Sequence, residues 1–422
     1  MTVTPQTAAD VLAGNWVDAR GYTLPTSDGL YPHQWNWDSA FSALGWAVID
    51  PARAYEELET LCGGQHPDGL IPHIAFSPAR QDYFPSADWW PPRFGVDGRR
   101  VSSISQPPVA ATCLRLLFAR VPDEARARAL LEPLDRWHAW WLHARDPLAS
   151  GEPVLIHPWE SGRDNSPDWD HALDGVPRLE VGGQRRDLRW VGLDERPSHV
   201  EYERYAWIVR SIRTGDALEQ RQLAITGTFR VADPGVSCIL AAACADLAAL
   251  AAELGEPEIA ERAAERAARL EERLTARADS EGIAPTLDVR AQAEEVTPGA
   301  GWALNLLRSA LPARALDRLE EACCRGELAS ELGVRSWSPT APRFDPRAYW
   351  RGPVWANITW LCALGLERHG RPESAALLRE RLRAAWQAAG AREYVHGDTG
   401  EGLGAGTFSW TAALCLWEGL AD

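Results

Sequence analysis

The hydrophobic positions along the chain repeat with the spacing of α-helices rather than that of strands. From Cys238 to Leu254 the sequence is rich in Ala and Leu, and after Gly255-Glu256-Pro257 a second segment, 258–276, carries Glu and Arg along one face. Apolar residues three and four positions apart predict helices, and the Gly-Glu-Pro interruption predicts a turn between them. This part of the chain is therefore predicted to form a pair of antiparallel helices.

The same pairing occurs at 107–120 with 122–145 and at 355–368 with 372–389. In each pair the first helix is more uniformly apolar and the second is apolar on one face. A double ring of helices requires this alternation, because an inner helix is covered on both sides and an outer helix on one. Only 179–191, through Gly182-Gly183, predicts strands. The pattern therefore predicts an all-α fold with at most a short β-hairpin.

Long segments rich in Trp, Tyr and Pro separate the predicted helices, at 22–38, 66–106, 157–205, 336–355 and 393–410. Loops of such length are usually functional or disordered, and this aromatic content argues against disorder. No Gly/Ser-rich or charged linker divides the chain, so we predict one domain over 1–422. Within it, 77–100 is long and punctuated by Pro, and is predicted to be a lid over the site.

Composition narrows the classes of function. The net charge is -16 without a basic cluster, which argues against nucleic acid as a partner. We found no apolar run that predicts a membrane span and no secretory signal at the N-terminus. The 8 cysteines form no C-x-x-C pair, so we predict buried free thiols in a cytoplasmic protein. No cofactor and no metal are expected, and a homo-oligomer is left open.

One segment, 157–170, points to chemistry. It reads HPWESGRDNSPDWD, and its Ser161-Gly162 pair and Pro167 predict a rigid irregular loop. Carboxylates serve acid–base catalysis, and indole faces pack against the C–H faces of sugars, so the segment predicts a glycosidase. Asp164 is the candidate acid, although a turn-forming role would also explain it. The other acids of the segment could compete for that role or supply charge, and they are Glu160, Asp168 and Asp170.

The 21 tryptophans extend this interpretation. About half are expected in the core, and those among polar loop residues are expected to face a ligand. In 31–38 (YPHQWNWD), Asp38 would accept hydrogen bonds from sugar hydroxyls, or else cap a helix that begins at Ser39. In 349–355 (YWRGPVW), the aromatic residues surround a predicted helix start, or else belong to the core.

The segment 393–404 carries two glutamates and a series of glycines that allow close approach to a ligand. It contains no Lys or Arg, which argues against a phosphate-binding loop. Either Glu393 or Glu401 could act as a catalytic base.

These blocks resemble those of a known group. WNWDSAF, PWESGRDNSP, YWRGPVW and EYVHGDTGEGLG with FSWTAAL, in this order, are similar to the signature blocks of the inverting (α/α)6-barrel glycosidases. That group includes processing α-glucosidase I, trehalase and small bacterial hydrolases of mannosylglycerate and glucosylglycerate. The resemblance runs from about Tyr31 to the end of the chain. The compact length resembles the mannosylglycerate/glucosylglycerate hydrolase branch of glycoside hydrolase family 63.

The resemblance implies an (α/α)6 barrel that hydrolyses a small α-linked substrate, with glucosylglycerate or mannosylglycerate as the leading candidates. It implies Asp164 as general acid, Glu393 rather than Glu401 as general base, and Asp38 as a third carboxylate that holds the sugar or the water. Further substrate-binding residues are implied to be Tyr31, Trp35, Trp37, His73, Tyr83, Gln106, Arg196, Tyr202, Tyr349, Trp350, Gly352 and Trp355.

In that branch an Arg and tyrosines bind the glycerate carboxylate, and Arg196, Tyr202 and Tyr83 are the matching residues. A guanidinium can pair with a carboxylate through two hydrogen bonds. The alternative for Arg196 is a surface ion pair with Glu195 or Glu201. Thr407 replaces a Gln expected in glucosylglycerate-specific relatives, so the sequence leaves the acceptor and the choice of glucose or mannose open.

Other functions remain open at this point. Trehalase or oligosaccharide α-glucosidase activity would leave Arg196 without a partner on the substrate. A non-catalytic sugar-binding protein on the same barrel would not need both carboxylates. An epimerase-like enzyme would need a histidine pair, and the histidines of the loops are scattered.

Overall fold

The computed structural model describes residues 7–80 and 83–421, and it is mainly helical. The helices are α1 (Ala8–Asn15), α2 (Asn36–Ile49), α3 (Pro51–Gly63), α4 (Ala110–Arg120), α5 (Glu124–Ala144), α6 (Asp170–Asp174), α7 (His199–Ser211), α8 (Ala217–Thr226), α9 (Pro234–Glu253), α10 (Pro257–Ala276), α11 (Ala300–Ala303), α12 (Ala313–Cys324), α13 (Ala356–Arg368), α14 (Pro372–Ala389) and α15 (Ser409–Trp417).

Six of these helices form a closed inner ring. In the described part of the chain, α2 packs on α4, α4 on α9, α9 on α11 and the 3-10 turn Leu304–Leu307, that turn on α13, α13 on α15, and α15 on α2. Gly45 of α2 lies so close to α15 that an added Cβ would be 2.5 Å from the Ala413 Cα. The ring therefore closes through the first and last of its helices.

The outer ring covers the inner one, helix by helix. Helix α3 packs on α2, α5 on α4 and α9, α10 on α9, α12 on the 3-10 turn after α11, α14 on α13, and α1 on α15. This is the predicted (α/α)6 barrel, and the prediction of an all-α fold is confirmed. Helices α6, α7 and α8 lie in the long connection between α5 and α9.

Burial explains why each helix takes its place. In α9 the residues from Pro234 to Cys244 are all buried, because Ala, Cys and Leu cover every face of its first three turns. In its neighbour α10 only Ala263, Ala267, Leu270 and Leu274 are buried, and they form one stripe. The sequence pattern distinguished these two environments correctly.

Strands are short and lie among the loops. They are β1 (Trp16–Val17), β2 (Tyr22–Thr23), β3 (Gln34–Trp35), β4 (Ile74–Ala75), β5 (Arg93–Phe94), β6 (Arg100–Val101), β7 (Val231–Ala232), β8 (Thr286–Asp288), β9 (Ala293–Glu295), β10 (Ala329–Ser330), β11 (Gly333–Val334), β12 (Tyr394–Val395) and β13 (Gly402–Leu403). The largest sheet has the order β3-β4-β6-β5, and its pairs are antiparallel.

The hairpin predicted at 179–191 is wrong. This segment forms two single 3-10 turns, Gly182–Gln184 and Asp187–Arg189. Its side chains are held by local ion pairs instead of a strand partner, since Arg185 binds Asp187 at 2.6 Å. The strands that do form have two or three residues each, too few for a periodic pattern to be recognised in the sequence.

The predicted loops lead directly into the inner helices. Four inner helices begin in or just after a segment that the sequence singled out: 31–38 precedes or starts α2, 66–106 precedes α4, 349–355 precedes α13 and 393–408 precedes α15. Two residues of the predicted lid, 81 and 82, lie outside the described residues.

All 8 cysteines are buried and unpaired, as predicted. By length and apolar content, α9 could cross a membrane, but 78% of its most apolar window is buried inside the barrel. Its composition is therefore explained by its inner-ring position.

Candidate active site

A narrow cavity of about 60 Å³ opens among the loops that enter the inner ring. Both carboxyl residues implied as catalytic, Asp164 and Glu393, line it. The complete lining is Pro25, Tyr31, Trp35, Trp37, Asp38, His73, Tyr83, Gln106, Trp159, Gly162, Asp164, Arg196, Pro197, Tyr202, Tyr349, Glu393, Phe408 and Trp410. Segments far apart in sequence thus meet at one end of the barrel.

Asp164 lies in the acid loop, which we define as 157–170. The Trp169 indole and the Tyr205 hydroxyl each donate a hydrogen bond to its main-chain carbonyl, both at 2.9 Å. The carboxyl group itself has no hydrogen bond from a side chain of the described residues, and it faces the cavity. The main chain is therefore fixed while the acidic group is left available to a substrate.

The other acids of the acid loop are all engaged in ion pairs. Glu160 binds Arg145 at 2.7 Å, and both side chains are completely buried. Asp170 binds Arg351 at 2.6 Å. These contacts distinguish Glu160 and Asp170 from Asp164, which the sequence alone could not do.

Asp168 completes this set through Arg163. The Arg163 guanidinium binds Asp168 at 2.7 Å and Asp233 at 2.5 Å, with all three side chains buried. Asp233 also accepts hydrogen bonds from the first turn of α9. The residue directly before the candidate acid is thus anchored to the start of an inner helix.

The environment of Asp164 favours its protonated form. Burial raises the pKa of its carboxyl to about 7; Arg196 opposes this shift, whereas the negative charge of Glu393 adds to it. A carboxyl that is partly protonated at neutral pH can donate a proton to a leaving group.

Glu393 is buried and held by several donors. It begins the base hairpin, defined as 393–405, in which β12 pairs with β13. Its Oε1 accepts hydrogen bonds from the hydroxyls of Tyr31 at 2.8 Å and Tyr349 at 3.2 Å, and its Oε2 accepts one from the Ala405 amide at 2.9 Å. The carboxylate is therefore fixed in orientation.

Opposing influences act on the pKa of Glu393. Burial raises it, while the positive charge of Arg196 and the hydrogen bonds from Ala405, Tyr31 and Tyr349 lower it, and the net direction is upward. Donors that bind the charged form stabilise the carboxylate in a place where burial alone would neutralise it. Such a group can accept a proton from water.

Asp38 is the third carboxyl group of the cavity. Helix α2 begins at Asn36 with Trp35 as its N-cap, so Asp38 lies in the first helical turn and is not the cap. Burial, followed by the charge of Glu393, raises its pKa well above the usual value. No side-chain hydrogen bond to its carboxyl group is found in the part of the chain that the structure describes, which leaves it available to a hydroxyl group.

Aromatic rings form the walls between these carboxyl groups. Tyr31 packs edge-on against Trp35, with ring centroids 5.2 Å apart, and Trp37 packs edge-on against Trp410 at 5.3 Å. Gly162 has a positive φ of 68° and lies against Trp37; a Cβ there would be 2.4 Å from the indole. Glycine is therefore required at this position by both its backbone and its neighbour.

Arg196 lies inside the cavity and not on the surface. Its Nη1 donates a hydrogen bond to the Tyr31 hydroxyl at 2.8 Å and is 3.6 Å from Oε1 of Glu393. Its guanidinium carbon lies 4.3 Å from the centre of the Tyr349 ring. Asp187 provides a counter-charge at 3.5 Å from its Nε.

The alternative partners of Arg196 are bound elsewhere. Glu195 binds Arg347 at 3.2 Å and Glu201 binds Arg351 at 2.9 Å. The surface ion pairs that the sequence allowed for Arg196 are therefore not formed.

Four further expected residues reach the cavity with different freedom. His73 is bound to the Ser102 hydroxyl at 2.5 Å, and the Tyr202 hydroxyl donates to the Phe84 carbonyl at 3.0 Å. The Gln106 side-chain oxygen is buried without a hydrogen-bond partner in the described structure. Tyr83 packs its ring against Trp35, with centroids 5.4 Å apart.

Three residues expected to line the site do not reach the cavity, which corrects the expectation for Trp350, Gly352 and Trp355. The indoles of Trp350 and Trp355 stack on each other with centroids 3.7 Å apart. A Cβ at Gly352 would be 2.6 Å from the Asp345 carbonyl oxygen. These residues pack behind the wall, because the helix start turns their side chains toward the core.

Glu401 is also outside the cavity. Its side chain is half exposed and binds Arg347 at 2.7 Å. The structure thus separates the two glutamates of the hairpin, with only Glu393 at the cavity.

The sequence missed six lining residues: Pro25, Trp159, Gly162, Pro197, Phe408 and Trp410. Trp159 stacks near-parallel to His73, with centroids 5.8 Å apart. Trp159, Gly162, Phe408 and Trp410 belong to the blocks that carried the resemblance, so a signal existed. Among residues 7–80 and 83–421 we found no group of three or more His, Cys, Asp or Glu placed to hold a metal ion.

Comparison with known proteins places the chain in a family. The family model of the mannosylglycerate hydrolase MGH1-like glycoside hydrolase domain matches residues 31–411. The chain is 40% identical to the mannosylglycerate hydrolase of Thermus thermophilus, over 97% of this chain and 99% of that protein. It is 36% identical to the glucosylglycerate hydrolase of Mycolicibacterium hassiacum, over 98% of this chain and 97% of that protein.

Solved structures agree with this assignment. The GH63 mannosylglycerate hydrolase of Thermus thermophilus in complex with Tris and D-glycerate superposes with a TM-score of 0.89 at 39% identity, over 97% of this chain and 98% of that one. Neutral trehalase Nth1 of Saccharomyces cerevisiae, at 15% identity and a TM-score of 0.56, covers 98% of this chain and 80% of that one and shares only the fold. The resemblance drawn from the four sequence blocks is therefore confirmed, and the chain belongs to the MGH1-like family, as a glycoside hydrolase of the inverting family 63.

Proposed function

We propose that the protein hydrolyses the α-glycosidic bond between a hexose and D-glycerate, with mannosylglycerate or glucosylglycerate as substrate. The observation that carries this proposal is one cavity lined by three carboxyl residues, Asp38, Asp164 and Glu393, and by the cation of Arg196. The relatives that bear the names mannosylglycerate hydrolase and glucosylglycerate hydrolase support the substrate class.

Asp164 acts as the general acid. Its carboxyl group, with a pKa near 7, donates a proton to the glycosidic oxygen as the bond from that oxygen to the anomeric carbon breaks. The departing group is then neutral at its hydroxyl and leaves as glycerate.

Glu393 acts as the general base. It removes a proton from a water molecule, whose oxygen attacks the anomeric carbon from the face opposite the leaving group, so an α-linked substrate yields a β-hexose. Inverting enzymes place their two carboxyl groups roughly 6.5–9.5 Å apart to leave room for this water. The hydrogen bonds from Tyr31 and Tyr349 to Glu393 Oε1 fix the base in one orientation.

Arg196 binds the glycerate carboxylate, with Tyr83 and Gln106 as hydroxyl and amide partners. The Nε of Arg196 and the side-chain oxygen of Gln106 are both buried without a hydrogen-bond partner in the described structure. The Nε of Arg196 faces Asp187 at 3.5 Å, whereas the Gln106 oxygen can accept a hydrogen bond from a hydroxyl group of the glycerate. Tyr202 contributes its ring to the wall, since its hydroxyl is already bound to Phe84. The sugar occupies the space between Asp38, Trp35 and Trp37.

A substrate panel read by anomer-resolved NMR tests this function. The substrates are α-mannosylglycerate, α-glucosylglycerate, trehalose and kojibiose. We expect hydrolysis of one or both glycerate conjugates, with the β-anomer appearing first. Preference for trehalose or kojibiose would show a neutral acceptor and contradict the role of Arg196, and an α-anomer as first product would contradict inversion.

The chain acts as one domain in the cytoplasm, consistent with its free buried thiols. The segment 77–100 closes over bound substrate as a lid, so substrate should slow its proteolysis, and equal cleavage with and without ligand would contradict closure. Sedimentation would decide whether a homo-oligomer forms.

A further inference from the structure

Arg196 lies between two carboxylates, one inside the catalytic cavity and one behind its wall. On the cavity side its Nη1 is 3.6 Å from Oε1 of Glu393, and on the other side its Nε is 3.5 Å from Oδ2 of Asp187. Both distances are longer than a hydrogen bond, and Nε has no hydrogen-bond partner in the described structure. The guanidinium is thus attracted by two negative charges without being bound directly to either.

Asp187 is held in its place by a second arginine. Its two carboxylate oxygens accept hydrogen bonds from Nε and Nη2 of Arg185, at 3.2 and 2.6 Å. The Nη1 of Arg185 donates to the Pro197 carbonyl at 2.9 Å, and its guanidinium carbon lies 4.3 Å from the centre of the Tyr202 ring. Arg185 therefore fixes Asp187 relative to the residue that follows Arg196 in the chain.

Asp187 carries its charge in a buried position. Its side chain is 7% exposed, and that of Arg185 is 2% exposed. Burial raises the pKa of Asp187, but the hydrogen bonds from Arg185 and the positive charges of Arg196 and Arg185 lower it, and the net direction is downward. Asp187 and Arg185 do not line the catalytic cavity themselves. They can therefore influence a substrate only through the residues that do, and Arg196 is the nearest of these in charge.

The position of Arg196 decides whether its charge serves the substrate or the base. Its Nη1 donates to the Tyr31 hydroxyl at 2.8 Å, and no hydrogen bond from its Nη2 is found among the described residues. Without the charge of Asp187, the carboxylate that remains close to the guanidinium is Glu393. A direct ion pair with Glu393 would occupy the proposed base and turn Arg196 away from the glycerate carboxylate.

We propose that Asp187 is a positioning residue, which holds the guanidinium of Arg196 toward the glycerate carboxylate and keeps it from forming a direct ion pair with Glu393. Arg185 in turn holds Asp187, so that Asp187 does not itself bind Arg196 directly. This inference rests on the proposed function, because it concerns the binding of an anionic aglycone by Arg196.

The test measures KM and kcat of the double variant Arg185→Gln/Asp187→Asn, which replaces the buried ion pair with two amides and leaves the net charge unchanged. With an α-hexosylglycerate, KM should rise about tenfold, because only a fraction of the free enzyme then holds Arg196 in the orientation that binds the substrate. The value of kcat should stay within about twofold of the wild type, since the bound carboxylate restores that orientation.

A neutral aryl α-hexoside should give the opposite pattern. Because this substrate has no carboxylate to draw Arg196 away from Glu393, kcat of the double variant should fall by about threefold, a partial loss of general base catalysis. Its KM should not change. A rise in KM that is equal for the two substrates would indicate general damage to the cavity and would overturn the positioning role.

The single variant Asp187→Asn distinguishes positioning from the effect of charge alone. Removal of a negative charge beside Arg196 should tighten the binding of an anion if only the total charge matters. Loss of positioning should instead raise KM for the hexosylglycerate. A lower or unchanged KM in this variant contradicts the proposal. The double variant leaves no unpaired buried charge and is the less destabilised of the two.

A buried ion pair outside the cavity provides the matched control. Nη2 of Arg277 donates to Oε1 of Glu152 at 2.6 Å, and the two side chains are 6% and 2% exposed. Arg277→Gln/Glu152→Gln should leave KM unchanged for both substrates, and thermal unfolding verifies that each variant is folded. A tenfold rise in KM for the hexosylglycerate in this control would overturn the specific role of Asp187.

The outcomes separate this inference from the proposed function. If the wild-type protein cleaves a hexosylglycerate and the double variant does so with the same KM, Asp187 does not position Arg196 and the proposed function still stands. If the wild-type protein cleaves no hexosylglycerate, the proposed function fails and the role of Asp187 fails with it.

Discussion

The acid loop and the base hairpin hold equivalent groups in different ways. In the acid loop, the ion pairs of Arg163 with Asp168 and Asp233 have side chains at most 2% exposed. In the base hairpin, Glu401 binds Arg347 through side chains that are 52% and 33% exposed. The loop that carries Asp164 is thus anchored by buried ion pairs, whereas the hairpin that carries Glu393 has an exposed ion pair in addition to the buried hydrogen bonds of Glu393 itself.

This difference indicates which interactions keep the acid loop and the base hairpin rigid. Buried charges are strongly destabilising when one partner is lost, since the other stays unpaired in a medium of low dielectric constant. Exposed pairs contribute little and weaken with salt. Arg347 nevertheless bridges separate segments, because it also binds Asp194 and Glu195 next to the loop residue Arg196.

The largest expected effect is at the two carboxyl groups themselves. Glu393→Gln and Asp164→Asn should each lower kcat by about 10³-fold, within the range for general acid–base groups. The two should differ with an activated aryl α-hexoside, whose leaving group needs no proton. Asp164→Asn should then regain activity and Glu393→Gln should not, as measured by steady-state kinetics.

Glu401→Gln is the matched control for the hairpin and should change kcat by less than about threefold, the effect of losing one exposed ion pair. Binding of substrate to Glu393→Gln should persist in calorimetry. Retained turnover in Glu393→Gln together with its loss in Glu401→Gln would reverse the assignment of the base.

The next largest effect is on the free energy of unfolding, and it should distinguish the buried ion pairs of Arg163 from the exposed ion pairs of Arg347. Arg163→Met should lower the free energy of unfolding by about 3–5 kcal/mol, because it leaves Asp168 and Asp233 as buried unpaired charges. Arg347→Met should lower it by less than about 1 kcal/mol. Urea unfolding of both variants measures this contrast, and equal losses would show that exposure does not distinguish the anchors.

The pH dependence should report the two environments on opposite limbs. Because the proposed acid must be protonated and the pKa of Asp164 is raised to about 7, kcat/KM should fall about tenfold per pH unit above 7. Because the proposed base must be ionised, activity should fall at low pH, and the fall should begin above the usual pH range for a glutamate, since the pKa of Glu393 is raised. A pH profile of kcat/KM with the wild-type enzyme checks both limbs.

Linkage gives an independent check on Asp164. Its pKa rises on folding from 3.8 to about 7, so its contribution to stability is present below pH 3.8 and is lost as the pH rises through 7. Asp164→Asn should therefore gain stability relative to the wild type at pH 8 and gain none at pH 3.5. A constant difference between the two pH values would contradict the raised pKa.

The smallest expected effect concerns the exposed ion pairs of Arg347. Arg347→Gln should lower kcat by about threefold at low salt, because Arg347 precedes Tyr349 in the chain and its ion pair with Glu195 holds the residue next to Arg196. The kcat values of wild type and variant should converge at about 0.5 M salt. Arg371→Gln, which breaks an exposed pair with Asp317 far from the site, is the control. Kinetics at two salt concentrations suffice, and a salt-independent loss would point to packing instead.

The ring of helices was predictable because its signal is long. Helices α9 and α10 have twenty residues each, long enough for the sequence to show that α9 is apolar on all faces of its first turns and α10 along one stripe. Short strands such as β3 and β6 have two residues each and carry no period. The hairpin wrongly predicted at 179–191 shows the same limit.

The two proposed catalytic carboxyl groups could be chosen only through the resemblance. From residues alone, Asp164 could not be distinguished from Glu160, Asp168 and Asp170, because contacts made only in the folded chain engage the other three. The YWRGPVW block misled us in part: Tyr349 faces the cavity, while Trp350 and Trp355 stack behind it. Which side of a helix start faces the ligand depends on tertiary packing.

The buried thiols provide a way to follow the opening of the barrel. Eight cysteines are distributed over helices α3, α4, α9, α12, α13 and α15; seven are fully buried and Cys62 is 7% exposed. An alkylating reagent can therefore modify them only when the surrounding helices separate. The mass of the modified protein would give the number of cysteines alkylated together, and hence which helices separate in one opening event. The cysteines thus serve as built-in probes of cooperative unfolding.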